Sequence, residues 1–122
     1  MVLKHKEYTI EEREDCYFVS KIFSPGRFDE FECECVADAK RMIGSRTFGD
    51  IVGDHYRTIF DNMKEAGKDF VALMTASYKR CVAKEYKGAL VLASQARMVS
   101  SKASDEVKRY LESLIGHLER VA

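Results

Sequence analysis

Cys33-Glu-Cys35 is the tightest group of ligand-type side chains in this 122-residue chain. In an extended strand, alternate side chains share a face but stand about 6.6–7 Å apart. Two thiolates on one zinc ion sit about 3.7–3.8 Å apart, because Zn–S bonds are about 2.3 Å long. A strand would have to distort to bring them together. Cys16 could approach across a hairpin, but no fourth ligand is evident, so the spacing supports no metal site. A Cys16–Cys35 disulfide is a second use of these residues, and reduced thiols in an apolar layer are the third and simplest. No base lies beside any of the four cysteines in sequence, so none reads as a nucleophile.

Asp50 and Asp54 stand four residues apart, with Asp61 further along the same helical pattern. Carboxylates at that interval can hold Mg²⁺ when a second helix adds more acids. The last helix offers Asp105, Glu106, Glu112 and Glu119 in no matching motif, which leaves a metal-dependent hydrolase as a remote third reading. His5, His55 and His117 follow no zinc spacing and read as surface or boundary residues. Gly44, Gly49 and Gly53 form no phosphate-binding loop. The residues call for no cofactor, and the chain reads as non-enzymatic.

Charge is more informative. Residues 1–38 carry five Lys/Arg against ten Asp/Glu, a net −5, and residues 39–122 carry fifteen against ten, a net +5. Between Tyr78 and Lys102 lie Lys79, Arg80, Lys84, Lys87, Arg97 and Lys102, with Glu85 as the one acid. Such a stretch can meet an acidic protein or grip phosphates. Tyr78 and Tyr86 are the only aromatics in it and fall on core-facing positions, so a base-stacking platform is poorly supported. The acidic counterpart is the row Glu30, Glu32 and Glu34, whose alternation puts three carboxylates on one strand face.

The elements that must position these groups follow from periodicity. Residues 16–23 are rich in β-branched and aromatic types, and residues 28–36 alternate. Ser24-Pro-Gly-Arg27 between them suits a type II turn, with Gly26 at the position needing positive φ. With that tip, Phe18 faces Cys33, Ser20 faces Phe31 and Cys16 faces Cys35. On the other face Tyr17, Val19 and Lys21 then lie opposite Glu34, Glu32 and Glu30, with a Lys21–Glu30 ion pair. Residues 3–13 add a third strand, with a short helix from Thr9 as the alternative.

From Ala37 onward the spacing is helical. A short helix runs to Ile43 near Gly44, and Thr47 with Asp50 caps the next, which ends at Ala66-Gly67. Further helices carry Phe70–Val82 and Tyr86–Arg97, with a break around residues 83–85. Ser104 opens the last helix, where Val107, Leu111, Leu114, Leu118 and Val121 step by four and three. Its own core is the first use of that seam, and pairing of two chains through Val107, Leu111, Leu114 and Leu118 is the second. The expected architecture is a single α+β domain over residues 1–122. A small antiparallel hairpin or sheet at residues 3–36 precedes an antiparallel bundle of four to five helices at residues 37–122.

The segment Ser77–Ala96 resembles the turn of a tetratricopeptide-type helical hairpin, in which an aromatic and spaced alanines pack two antiparallel helices closely. The likeness covers one repeat. With the last helix it is also similar to a three-helix microtubule-interacting-and-trafficking module. Either resemblance implies a protein-binding groove between helices. No apolar run approaches a membrane span, and MVLKHKEY lacks the apolar stretch of a secretion leader. The expected setting is the cytosol, or an equally reducing compartment of a host cell, with thiols rather than disulfides. The expected function is that of a binding or regulatory protein acting through protein–protein contacts, as a monomer or a homo-oligomer. A small nucleic-acid-binding protein using residues 79–102 is the alternative.

Overall fold

The computed structural model describes residues 2–122. It is an α+β fold: a four-stranded antiparallel sheet followed by five helices. The strands are β1 (Val2–His5), β2 (Tyr8–Glu12), β3 (Tyr17–Ser24) and β4 (Arg27–Cys33), in the order β1-β2-β3-β4. The helices are α1 (Val36–Gly44), α2 (Phe48–Asn62), α3 (Lys68–Val82), α4 (Tyr86–Met98) and α5 (Asp105–Glu119). The chain forms two compact units, residues 1–51 and 52–122, and the division falls inside α2.

In the first unit the expected third strand is itself a hairpin. Lys6 and Glu7 form its two-residue turn, both with positive φ (48° and 71°), as the tight turn of a right-twisted hairpin requires. Around the next tip, Ser24 lies opposite Arg27 and Gly26 takes φ 81°, as its turn chemistry demands. The register beyond it differs from the expectation. The pairing shifts between Ile22 and Ser24, leaving Phe23 as an extra residue on β3. Such a bulge sets two residues against one, and with a side-chain period of two it exchanges the faces. Phe18 therefore lies opposite Glu32 rather than Cys33, and Ser20 opposite Glu30 rather than Phe31. Val19 lies opposite Phe31, and Lys21 opposite Asp29. The expected Lys21–Glu30 ion pair gives way to Lys21–Glu7 at 3.3 Å.

The exchange determines the core. Tyr8, Ile10, Val19 and Cys33 from the sheet are buried with Ala39 and Ile43 of α1, while Leu3, Tyr17, Phe31 and Met42 pack around them. The Cys33 thiol donates to Met42 Sδ at 3.4 Å, and burial is the main cause of its raised pKa.

One charged group lies fully inside this unit. Asp29 is 0% exposed, and the Arg46 guanidinium grips it with two hydrogen bonds, Nε to Oδ2 at 2.8 Å and one terminal nitrogen to Oδ1 at 2.7 Å. Tyr8 donates a third, from its hydroxyl to Oδ2 at 2.7 Å. The Arg46 guanidinium also lies over the Phe31 ring, 4.3 Å from its centroid. Burial first, and then the hydrogen bond to Asp29, push the Tyr8 phenol well above its usual range. A buried carboxylate needs such donors, because an unpaired one is far more costly to bury than any neutral polar group.

Capping follows the local sequence. Asp50 N–H donates to Thr47 Oγ1 at 3.0 Å, and Thr47 N–H donates to Asp50 Oδ2 at 3.1 Å, a reciprocal box at the start of α2. Ser104 Oγ accepts from Val107 N–H at 3.2 Å at the start of α5. Helix α2 stops at Asn62, short of the expected Ala66-Gly67, and Gly67 (φ 96°) instead immediately precedes α3.

In the second unit, α3 and α4 form an antiparallel hairpin with Ala89, Ala93 and Ala96 buried on one side of α4. Small side chains there allow close helix approach. Ser77 Oγ donates to the Ala89 carbonyl at 2.8 Å. Its one proton is thereby committed, so the Tyr56 hydroxyl, 2.7 Å away, donates to Ser77. This chain ties α2, α3 and α4 together.

Arg46→Met should lower stability by about 3–5 kcal/mol, since it strands a buried carboxylate, whereas Tyr8→Phe should lower it by about 1 kcal/mol. Urea unfolding followed by circular dichroism measures both, and equal losses would contradict the ranking. The Asp50 carboxyl is held below its usual value by the backbone and then the side-chain hydrogen bond from Thr47. A depressed carboxyl stabilises the fold above its unfolded pKa and loses that contribution as pH falls. The stability gap between wild type and Asp50→Ala should therefore be present at neutral pH and narrow as pH drops below about 4.

Candidate functional site at the basic turn between α3 and α4

The six basic residues of the 79–102 stretch do not form one patch. Lys79 and Arg80 close α3, Lys84 sits in the turn, and Lys87 lies in the first turn of α4. Arg97 is in the last turn of α4 and Lys102 is in the loop beyond it. Ten residues of helix separate Lys87 from Arg97, a rise of about 15 Å. Arg97 approaches Glu112 of α5 at 3.4 Å, and Lys102 lines a shallow groove of about 400 Å³ with Lys68, Phe70 and Met98. The charge that converges is the cluster Lys79, Arg80, Lys84 and Lys87, partly offset by Glu85, which binds Arg80 at 2.9 Å. Val82, exposed at 64%, adds an apolar element beside them.

The turn itself is unusual in composition. Glu85 N–H donates to the Arg80 carbonyl at 2.9 Å, and Lys84 N–H donates to the Cys81 carbonyl at 2.9 Å. This is a Schellman termination, whose left-handed residue is usually glycine. Here it is Lys84, with φ 62°. A side chain in that conformation costs about 1–2 kcal/mol, a strain that glycine avoids.

The acidic row is also rearranged. Glu30 and Glu32 share the face of β4 opposite Phe31 and Cys33, but Glu30 is half-buried, and Glu34 lies in the turn after the strand. Across the sheet, the register sets Glu11 beside Phe18 and Phe18 beside Glu32. The Cys16 thiol is raised by desolvation and then by the Glu32 carboxylate, with Asp15 adding to the effect. The exposed carboxylates Glu12, Glu14, Asp15, Glu32 and Glu34 thus fall at one end of the sheet, where β2 ends, β3 begins and β4 ends, with Arg13 among them. That arginine bonds Glu11 at 3.4 Å and lies over the Phe18 ring, 3.9 Å from its centroid.

The remaining candidates lie elsewhere. Val107, Leu111, Leu114 and Leu118 are at most 1% exposed. That corrects the reading of the seam as a surface for self-association: those side chains already pack the chain's own interior. Asp50 is engaged by Thr47, and Asp54 forms an ion pair with Arg57 one helical turn away. Among the described residues, no group of three or more His, Cys, Asp or Glu is placed to hold a metal ion. Cys16, Cys33, Cys35 and Cys81 are free thiols, and Cys35 sits at the start of α1 rather than opposite Cys16 in a ladder.

His55 and His117 are corrected from surface or boundary positions to the interior, at 1% and 3% exposure. Their rings meet edge to face with centroids 5.2 Å apart, and the Tyr110 ring lies 5.3 Å from that of His55. His55 Nε2 lies 2.7 Å from Ser113 Oγ. That is the contact distance of a nucleophile and its base, but Ser113 is 0% exposed and no substrate can reach its oxygen. The pair is a polar link between α2 and α5. Sequence reasoning missed it, although Tyr110, Ser113 and His117 recur at helical spacing along the flank of the leucine seam.

Comparison with protein-family models, with curated proteins and with solved structures finds no match to this chain.

Lys84→Gly should raise stability by about 0.5–1 kcal/mol by relieving the left-handed strain, while Lys84→Ala should give no such gain. Thermal or urea unfolding of both variants checks the contrast.

Proposed function

We propose that this protein is a small non-enzymatic binding protein that engages an acidic protein surface through Lys79, Arg80, Lys84 and Lys87. The observation that carries the reading is Lys84. A glycine at that position would be the more stable choice for the turn, yet a charged side chain stands there with φ 62°. Strain held at an exposed turn is a sign of use when the side chain offers something glycine lacks, and here that is a cation beside three others. An exposed Val82 in the same turn suits a protein partner, which brings apolar area as well as charge.

The aromatic environment favours protein over nucleic acid. Tyr78 is 40% exposed rather than core-facing, but its ring is engaged edge to face with Tyr56 and Phe60, with centroids at 5.2 and 5.5 Å, which leaves it less available to a base. Among the described residues no helix is long and apolar enough to cross a membrane. With four thiols, the reading places the protein in a reducing compartment such as the cytosol.

Immobilised poly-glutamate and a mixed DNA/RNA pool, each at low salt, test the reading. Wild type should be retained on poly-glutamate, and reversal of Lys79, Lys84 and Lys87 to Glu should weaken retention by about tenfold or more, since several exposed pairs change sign together. Lys84→Gly should also weaken it while stabilising the fold. Preferential retention of the nucleic-acid pool, or equal retention of the triple variant, would overturn the reading.

A further inference from the structure

We infer that one occupant of the basic turn is a second copy of this chain, bound head to tail through the acidic end of its sheet. The inference rests on the proposed function and names the partner of the same surface. Both halves of the contact are exposed in one molecule. One half is Lys79, Arg80, Lys84 and Lys87 with Val82, interrupted only by Glu85. The other is Glu12, Glu14, Asp15, Glu32 and Glu34, with Arg13 among them occupied by Glu11 and the Phe18 ring. The compact units repeat the division. Residues 1–51 carry eight Lys/Arg against eleven Asp/Glu, a net −3, and residues 52–122 carry twelve against nine, a net +3.

A chain with zero net charge has no overall repulsion to keep copies apart. Opposed patches then attract without a long-range penalty. The acidic end also has a fixed backbone: Glu11 pairs with Phe18 on one side, and the register set by the bulge at Phe23 pairs Phe18 with Glu32 on the other. The basic turn is equally fixed by its two Schellman hydrogen bonds. Two preformed, oppositely charged surfaces lose less conformational freedom on meeting than flexible ones.

The contact joins unlike patches: reciprocal pairing of both patches closes a dimer, and one-sided pairing continues into larger species or rings. This differs from pairing through the leucine seam, which would be buried, apolar and insensitive to salt. Exposed ion pairs are individually weak and screened by salt, so association should be concentration-dependent and reversible.

Sedimentation velocity on the full chain tests this. In about 20 mM salt the mean mass should rise with concentration above that of the monomer, and it should return to monomer at about 0.5 M salt. Two variants then separate the halves: Lys79→Glu/Lys84→Glu/Lys87→Glu, and Glu12→Lys/Glu14→Lys/Glu32→Lys. Each alone should stay monomeric with an unchanged circular dichroism spectrum, and an equal mixture should recover association, because each variant retains one native patch and the reversed patches complement each other. A wild type that remains monomeric at low salt overturns the inference, as does association that survives in either variant alone. If poly-glutamate still binds wild type through Lys84 while self-association is absent, the proposed function stands and only the identity of this partner fails.

Discussion

Asp29 is the constraint around which the first unit is arranged. A carboxylate with no solvent exposure needs donors, and three converge on it from two different segments: two from Arg46, which lies between α1 and α2, and one from Tyr8 on β2. Strand alternation puts Asp29 on the same face of β4 as Phe31 and Cys33. The bulge at Phe23 then sets that face beside Tyr17, Val19 and Lys21 of β3. The stacking of Arg46 on the Phe31 ring fixes the guanidinium plane as well as its position. Sheet register, the position of α1 and the chain's path toward α2 are therefore consequences of one another. A buried pair of this kind contributes less to net stability than to selecting one arrangement over its neighbours.

The second unit uses neutral polar contacts for the same purpose. Tyr56 donates to Ser77, Ser77 donates to the Ala89 carbonyl, and burial pushes both the Tyr56 phenol and the Cys81 thiol above their usual values. An apolar stripe alone lets a helix slide or rotate by a turn at little cost. A hydroxyl that must meet one particular oxygen removes that freedom, because a slipped register would leave it unsatisfied in the interior. His55 with Ser113 performs this for α2 and α5. The enzyme-like contact distance there is thus a feature of packing, and its burial accounts for the absence of any route to chemistry.

What remains outside is charge, and its arrangement is a result of the fold. The basic stretch divides because α4 carries its two ends apart. The acidic row divides because Glu30 is half-buried and Glu34 leaves the strand, while Asp15 and Glu14 arrive from the preceding turn. The surviving concentrations, one at the α3–α4 turn and one at the end of the sheet, are smaller and better defined than the stretches from which they come.

Much of this was legible in the residues. The Thr47/Asp50 and Ser104 caps, the Pro25-Gly26 tip, the alanine face of α4 and the α+β order are local. Each depends on a few neighbouring side chains and backbone geometry, so short-range physics suffices to read them. The face of β3 was not legible, since one bulged residue reverses a period-two pattern and nothing local to β3 announces it. Nor were the buried histidines, whose surroundings come from helices more than fifty residues apart in the chain. The leucine seam showed that α5 is amphipathic, but only packing decided that its partner is the chain's own interior. The sequence by itself determined the elements, their caps and the total charge. The tertiary structure decided which faces are buried and where charge converges, because burial and convergence are properties of distant segments meeting, and no local pattern encodes that meeting.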